Sequence, residues 1–339
     1  MIVPLFLPHL GCGERCTYCN QDHITNSGQG DALERRIAAL LGGLAAPAEV
    51  ALYGGNMLGL PALLLDRILR LLDPYRDRIA HLRVSAKPGP LDADTLALLK
   101  KHRVRTIELG IPTFNDDILA VLKRGHTVDD LHRTYHILRG EGFETGLQVM
   151  VGLPGETPGD VRETASAIRA LAPAFIRIYP LCVIDDTPLC RDFRAGRFSP
   201  DSVERAVAKA AFISLSAYAC GVATIKMGLT GNDVLTEKIV AGPFHPAFGY
   251  LVKSEAFYLA VLKTCAVSAI RGPARVRLNR RDVAHLTGYR RSNLSRLKES
   301  GITTTWAEDE KLEEGRFVIE SGGMRAEGGV TDALAMIPL

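Results

Sequence analysis

The 339-residue chain has no uninterrupted apolar run of about 18 residues, so a membrane-crossing helix is not expected. Its opening segment, MIVPLFLPHLG, has no basic stretch ahead of the apolar residues and no small-residue cleavage site, and Pro4 and Pro8 interrupt it. It reads as a strand and not as a secretion signal, which makes a cytoplasmic location the expectation. Cysteine is scarce and odd in number, seven in all, and Cys182, Cys190, Cys220 and Cys265 stand alone without a repeated spacing. That pattern argues against a secreted disulfide framework and suits small buried side chains. Neither sign of charge dominates: 41 Lys and Arg face 38 Asp and Glu, a net charge of +3, so overall charge selects no partner. With 47% hydrophobic and 23% charged residues, neither disorder nor a fibrous repeat is indicated.

What is present is an alternation of short β-type runs with helical segments. VPLFL (3–7), EVALY (49–53), HLRVS (81–85), RTIELG (105–110), TGLQVMVG (145–152) and FIRIYPL (175–181) read as strands. Between them, 60–75, 92–101, 127–142 and 157–172 have helical periodicity, and several start at a good N-cap and stop at glycine, proline or a basic turn. Repeated strand–helix units predict a parallel sheet wound by right-handed crossovers. Six units are fewer than the eight of a closed barrel, which leaves a partial barrel or an open doubly wound sheet. In both, function sits beyond the carboxyl ends of the strands. After residue 198 the pattern changes to a long helix over 200–220, a strand-like 222–229, the loop AGPFHPAFG (241–249) and a helix over about 250–265. Two short helices with Gly288 between them are expected over 278–301.

The segment GCGERCTYCNQ (11–21) puts Cys12, Cys16 and Cys19 within eight residues, just after the first strand. Zinc in a structural site takes four ligands, and no second pair of cysteines is here, although His9 or His23 could supply the fourth. An iron–sulfur cube is ordinarily held by four thiolates, so three in one loop leave an iron with a vacant position for a substrate or cofactor. The unequal spacing suits a loop wrapped round a cube, and Gly11 and Gly13 allow close backbone approach.

The triplet resembles the cluster motif of the radical S-adenosylmethionine (SAM) superfamily, in which the methionine moiety of SAM chelates the open iron and one electron cleaves the sulfonium to a 5′-deoxyadenosyl radical. YGGN (53–56) resembles the Gly-Gly-Glu-like turn that meets the methionine amine, with Asn56 in place of the acid. QVMVGLPGET (148–157) resembles the segment along the adenine. FLPHLGCGERCTYCNQ, RTIELG, RGHTVDDL, GLQVMVGLPGET, IRIYPL and AGPFHPAF are together most similar to the Elongator-type radical branch, over roughly residues 3 to 255, and more weakly to oxygen-independent coproporphyrinogen oxidase.

The resemblance implies an α/β fold, a partial (β/α)6 TIM-like barrel with a mostly helical C-terminal extension, divided as a radical core (1–198), a helical extension (199–265) and a basic helical pair with an acidic tail (266–339). It implies a 4Fe-4S cluster on Cys12, Cys16 and Cys19 and SAM held by Tyr18, Gly54, Gly55, Asn56, Ser85, Arg124, Gln148 and Gly152. It also implies a one-electron reductant of the ferredoxin or flavodoxin type. The chain departs from these relatives at Pro112, where they tend to have glutamine, and at Lys87, where they tend to have arginine. About 75 residues follow the helix at 250–265, too few for the acetyltransferase domain of full-length Elongator relatives.

Other features carry two readings each. His245 in GPFHPAFG is either a substrate contact or part of a stiff packed loop, His126 is either site-facing or structural beside the N-cap Thr127, and Cys182 ends the sixth strand where a thiol could donate a hydrogen atom. Residues 271–301 hold nine basic residues against Asp282 and Glu299. That is a footprint for RNA or a solvated helical face. The expected function is a radical SAM enzyme, with tRNA as one substrate class, a small molecule such as a tetrapyrrole as another, and a non-catalytic iron–sulfur or zinc redox sensor as the alternative of a different kind.

Overall fold

Residues 2–25, 33–230 and 233–339 are described by a computed structural model. Contacts divide the chain into two units, one of residues 1–156, 173–200 and 230–242 and one of 157–172, 201–229 and 243–339. The first is built on β1 (Ile2–Phe6), β2 (Ala48–Tyr53), β3 (Ile79–Ala86), β4 (Val104–Gly110), β5 (Glu144–Val151) and β6 (Phe175–Pro180). These strands pair in chain order and every pair is parallel. This is the expected partial barrel, and the strand positions match the sequence reading within two residues.

Parallel strands covered on both faces read as continuous apolar runs. Accordingly Val50, Ala51 and Leu52 of β2 and Ile107 and Leu109 of β4 are buried. Helices Ala93–Lys101 and Val128–Gly140 lie between strands and start at side-chain caps: Asp92 accepts from the Thr95 N–H, and Thr127 with Asp130 forms a capping box. The loops that follow the strands therefore start from fixed points. A second apolar cluster, with Ile118, Leu122, Leu153, Leu181, Val183 and Leu189, packs against Tyr18.

The second unit holds helices Pro158–Leu171, Val203–Ala219 and Phe248–Val267 and a sheet of four strands, Ile302–Glu308, Gly272–Leu278, Arg316–Ser321 and Met324–Gly329 in that spatial order. The short helices Val283–Thr287 and Ser292–Glu299 flank Gly288 as expected and join two parallel neighbours of that sheet. The strands themselves are a finding, since 266–339 reads as a helical pair and a tail. They share one core with the helix that precedes them: Phe257, Leu259 and Val261 pack with Val276, Leu278, Phe317 and Ile319. The helix over 248–267 buries residues on most of its circumference, so it is complete only under the sheet. Among the described residues no helix is long and apolar enough to cross a membrane.

Candidate cofactor site

The loop carrying the three cysteines leaves the end of β1 and interlocks with the turn that leaves the end of β2. Leu7 donates to the Tyr53 carbonyl at 2.7 Å, His9 to the Gly54 carbonyl at 2.9 Å, and Asn56 to the Leu10 carbonyl at 2.7 Å. The glycines make this fit. A Cβ at Gly11, whose φ is +73°, would lie 2.1 Å from the Asn56 carbonyl oxygen, and one at Gly55 would lie 2.4 Å from the Leu10 carbonyl oxygen. A Cβ at Gly13 would meet nothing within 4 Å. Thus Gly11 and Gly55 are required by each other's loops, whereas Gly13 leaves open space beside the cysteines. Thr17, between the second and third cysteines, is pinned on both sides: its N–H donates to the Leu122 carbonyl and its carbonyl accepts from Leu189.

All three thiols are free of disulfides, and Cys16 is buried. Burial pushes the Cys19 thiol up to about 12 and raises Cys12 as well, with Cys16 adding to both shifts. Two side chains donate to the sulfurs. Arg124 Nη1 lies 3.1 Å from Cys16 Sγ and 3.3 Å from the Tyr18 hydroxyl, while its Nη2 donates to the Gly110 carbonyl at 2.5 Å. Gln21 Nε2 lies 3.3 Å from Cys19 Sγ. Burial opposes the charge on Arg124, but Tyr18 and Cys16 outweigh it, and the guanidinium pKa is raised above the ordinary arginine value. Its Nε is buried without a partner.

The donor set fits a multi-iron group better than a single ion. Among the described residues no group of three or more His, Cys, Asp or Glu side chains is placed to hold a metal ion. Of the two histidines weighed as a fourth ligand for zinc, His9 Nε2 accepts from the Gln21 N–H at 3.1 Å, whereas His23 Nε2 lies 3.7 Å from Asp186 and its Nδ1 is buried without a partner. Three thiols on one loop with open space beside them at Gly13 suit a cube with one thiolate on each of three irons.

The remaining predicted contacts fall at successive strand ends. Asn56 is buried, and its Oδ1 accepts from the Lys87 N–H at 2.9 Å, so it ties the turn after β2 to the end of β3. One lone pair of that oxygen is left for another donor. Ser85 on β3 lies opposite Glu108 in the sheet register. Gly152 follows β5 and donates its N–H to Glu156 Oε2 at 2.8 Å, which closes the GLPGE segment on itself. Gln148 faces a different duty, because its Nε2 donates to Glu108 at 2.6 Å.

Glu108 was not singled out by the sequence reading. It is fully buried on β4, accepts from Tyr53 (2.9 Å), Arg83 (2.8 Å) and Gln148, and forms an ion pair with Arg177 (3.0 Å), so side chains of four other strands meet on it. Arg83 also reaches Glu49 at 2.6 Å. Burial, with Glu108 next, raises the Tyr53 phenol, so Tyr53 stays a neutral donor one residue before the Gly54–Gly55 turn. The network therefore anchors the root of that turn. Gln21 was missed as well; its one signal is its place two residues after the last cysteine.

His126 is buried with both ring nitrogens unpartnered, and burial, with Arg124 and Lys87 behind it, pushes its pKa down to about 4. It is a neutral imidazole near the Arg124 guanidinium. Cys182 is buried and its thiol is pushed up to about 12 by burial. His245 Nδ1 accepts from the Ala247 N–H at 3.0 Å, and the ring meets Tyr289 edge-on, contacts that suit the stiff-loop reading.

A parallel partial barrel with a three-thiol loop after its first strand and an interlocking glycine turn after its second defines a class of cluster-holding cofactor enzymes. Residues 7–168 match the Radical SAM superfamily and residues 173–257 the Radical SAM C-terminal domain. The chain belongs to the radical SAM superfamily. It is similar to the heme chaperone HemW of Bacillus subtilis (32% identity over 40% of this chain and 35% of that one) and to the tRNA uridine(34) acetyltransferase of Methanocaldococcus jannaschii (26% over 44% and 28%). The chain thus spans about a third of the length of these curated relatives. The structure of Elp3 from Methanocaldococcus infernus superposes with a TM-score of 0.54 at 16% identity, covering 94% of this chain and 72% of that one, so the fold is Elongator-like.

Proposed function

We propose that the chain is an enzyme that holds a 4Fe-4S cluster on Cys12, Cys16 and Cys19 and binds SAM beside it. The observation that carries this reading is the interlock of the cysteine loop with the Gly54–Gly55–Asn56 turn, which brings three free thiols next to open space at Gly13. When bound, the cluster and SAM would supply a 5′-deoxyadenosyl radical after transfer of one electron from a ferredoxin- or flavodoxin-type donor.

The residues of the chain then hold and shape. Asn56 offers a free lone pair at the turn, Arg124 offers its unpartnered Nε, and Tyr18 packs on the apolar cluster under the loop. Gly54, Gly55 and Gly152 supply backbone surface, and Ser85 lies one strand away. Gln148 contributes through Glu108 and Tyr53, which fix the root of the turn.

For the substrate we favour RNA, supported by the basic segment 271–301 and by tRNA in the name of one relative. Three of its nine cations are neutralised: Arg277 by Asp309 and Glu320, Arg281 by Glu314, and Arg296 by Glu255. Arg271, Arg275, Arg280, Arg290, Arg291 and Lys298 are exposed and have no acidic partner among the described residues. Exposed Tyr289 lies beneath the Arg290 guanidinium. Neutralising Arg280, Arg290, Arg291 and Lys298 should weaken tRNA binding in a gel shift and flatten its dependence on salt by roughly three in log–log slope. Unchanged binding sinks the RNA reading and leaves a small molecule of the tetrapyrrole type, the class suggested by the heme chaperone relatives.

A further inference from the structure

We propose that Arg124 and Gln21 set the reduction potential of the group held by the cysteines, Arg124 through Cys16 and Gln21 through Cys19. This rests on the cluster reading above and assigns to two side chains a role that the thiolate ligands alone do not have.

Both donors are held in place. The Arg124 guanidinium is tied to the Gly110 carbonyl and the Tyr18 hydroxyl as well as to Cys16 Sγ, and the side chain is buried. Gln21 is fixed through its own N–H, which His9 Nε2 accepts, and its Oε1 would lie 3.3 Å from a Cβ on Gly54. Among the described residues, no side chain donates to Cys12 Sγ.

Reduction adds one electron and hence one negative charge, part of which is carried on the sulfurs. An N–H donor or a cation beside a sulfur stabilises the reduced form more than the oxidised form and raises the potential. A charged donor is about twice as effective as a neutral one, and a buried setting strengthens it further. Arg124 is therefore the larger influence and Gln21 the smaller. The pair makes the oxidised group easier to reduce by a low-potential donor and makes the environments of Cys12, Cys16 and Cys19 unequal.

The test uses the full chain, reconstituted anaerobically with iron and sulfide, analysed for both elements and titrated with dithionite in the presence of mediators while the reduced signal is followed by electron paramagnetic resonance. At the midpoint of the unmutated protein, Arg124→Met should lower the ratio of reduced to oxidised protein about tenfold or more, a shift of about 59 mV. Gln21→Leu should lower it about threefold, in keeping with a neutral donor, and Arg124→Lys should fall between the unmutated protein and Arg124→Met. Loaded variants whose midpoints stay within a twofold ratio of the unmutated protein overturn the proposal. If Arg124→Met takes up no iron, Gln21→Leu and Arg124→Lys decide by the same criterion. An unmutated chain that takes up no iron and sulfide overturns the cluster reading and the tuning with it, whereas a loaded chain with equal midpoints overturns only the tuning.

Discussion

Replacing Gly11 by alanine tests the interlock that builds the site. The added methyl would sit 2.1 Å from the Asn56 carbonyl oxygen and 3.1 Å from Leu60 Cγ, and the first of these is backbone, which cannot rotate away. The residue must also keep φ at +73°, which costs a non-glycine residue about 1–2 kcal/mol. Relief of the overlap, by shifting one loop by more than an ångström, adds about 1–3 kcal/mol in the manner of an overpacked core. The sum is about 2–5 kcal/mol, or roughly 3–7 °C in Tm for a chain of this size. The two loops should also part, so iron uptake after anaerobic reconstitution should fall well below that of the unmutated chain. Gly13→Ala is the matched control for stability: two residues away, it meets nothing within 4 Å, and it should leave Tm nearly unchanged. Thermal unfolding and iron analysis of the two variants side by side decide the matter. Equal losses of Tm at the two positions would refute the claim that the loop is held by its contact with Asn56.

Two further outcomes follow from buried groups and one from the exposed cations. Glu108→Ala leaves Arg177 without its carboxylate and Arg83 with Glu49 alone and should cost about 3–5 kcal/mol in denaturant unfolding; a cost below about 1 kcal/mol would mean that the buried network is not coupled. His126 has a folded-state pKa of about 4 against an ordinary 6.5, so the unfolded chain takes up the proton first. Stability should be full above about pH 6.5 and fall by about 2–3 kcal/mol as the pH drops towards 4, and His126→Leu should remove that part of the pH profile. Arg281→Gln, at a cation already paired with Glu314, should change tRNA binding less than Arg290→Gln in the same gel shift; the reverse order would count against the exposed-cation reading.

The strand-and-helix frame was legible because parallel strands buried on both faces and capped helices leave strong local marks, as in EVALY and in the Thr127–Asp130 box. The cysteine loop was legible for the same reason, since its chemistry lies within eight residues. The Glu108 network was not: each of its members is a lone polar residue in an apolar strand, and only strand order brings Tyr53, Arg83, Gln148 and Arg177 to one carboxylate. The C-terminal strands were hidden by composition. ITTTWAE and MRAEGG carry little apolar periodicity; as strands the first packs against the helix Ser292–Glu299 and the second against the helix over 248–267. At Gly11 the close approach is to the Asn56 carbonyl of the neighbouring turn, a partner that only the folded chain reveals.

The central claim is that Cys12, Cys16 and Cys19 hold a cluster that works with SAM. Its most direct measurement is 5′-deoxyadenosine formed by the anaerobically reconstituted chain with dithionite and SAM, alongside iron and sulfide content. The account predicts about four irons and four sulfides per chain and deoxyadenosine that disappears when Cys12, Cys16 and Cys19 are all replaced by alanine. One bound zinc, or a fully loaded chain that forms no deoxyadenosine, would contradict it.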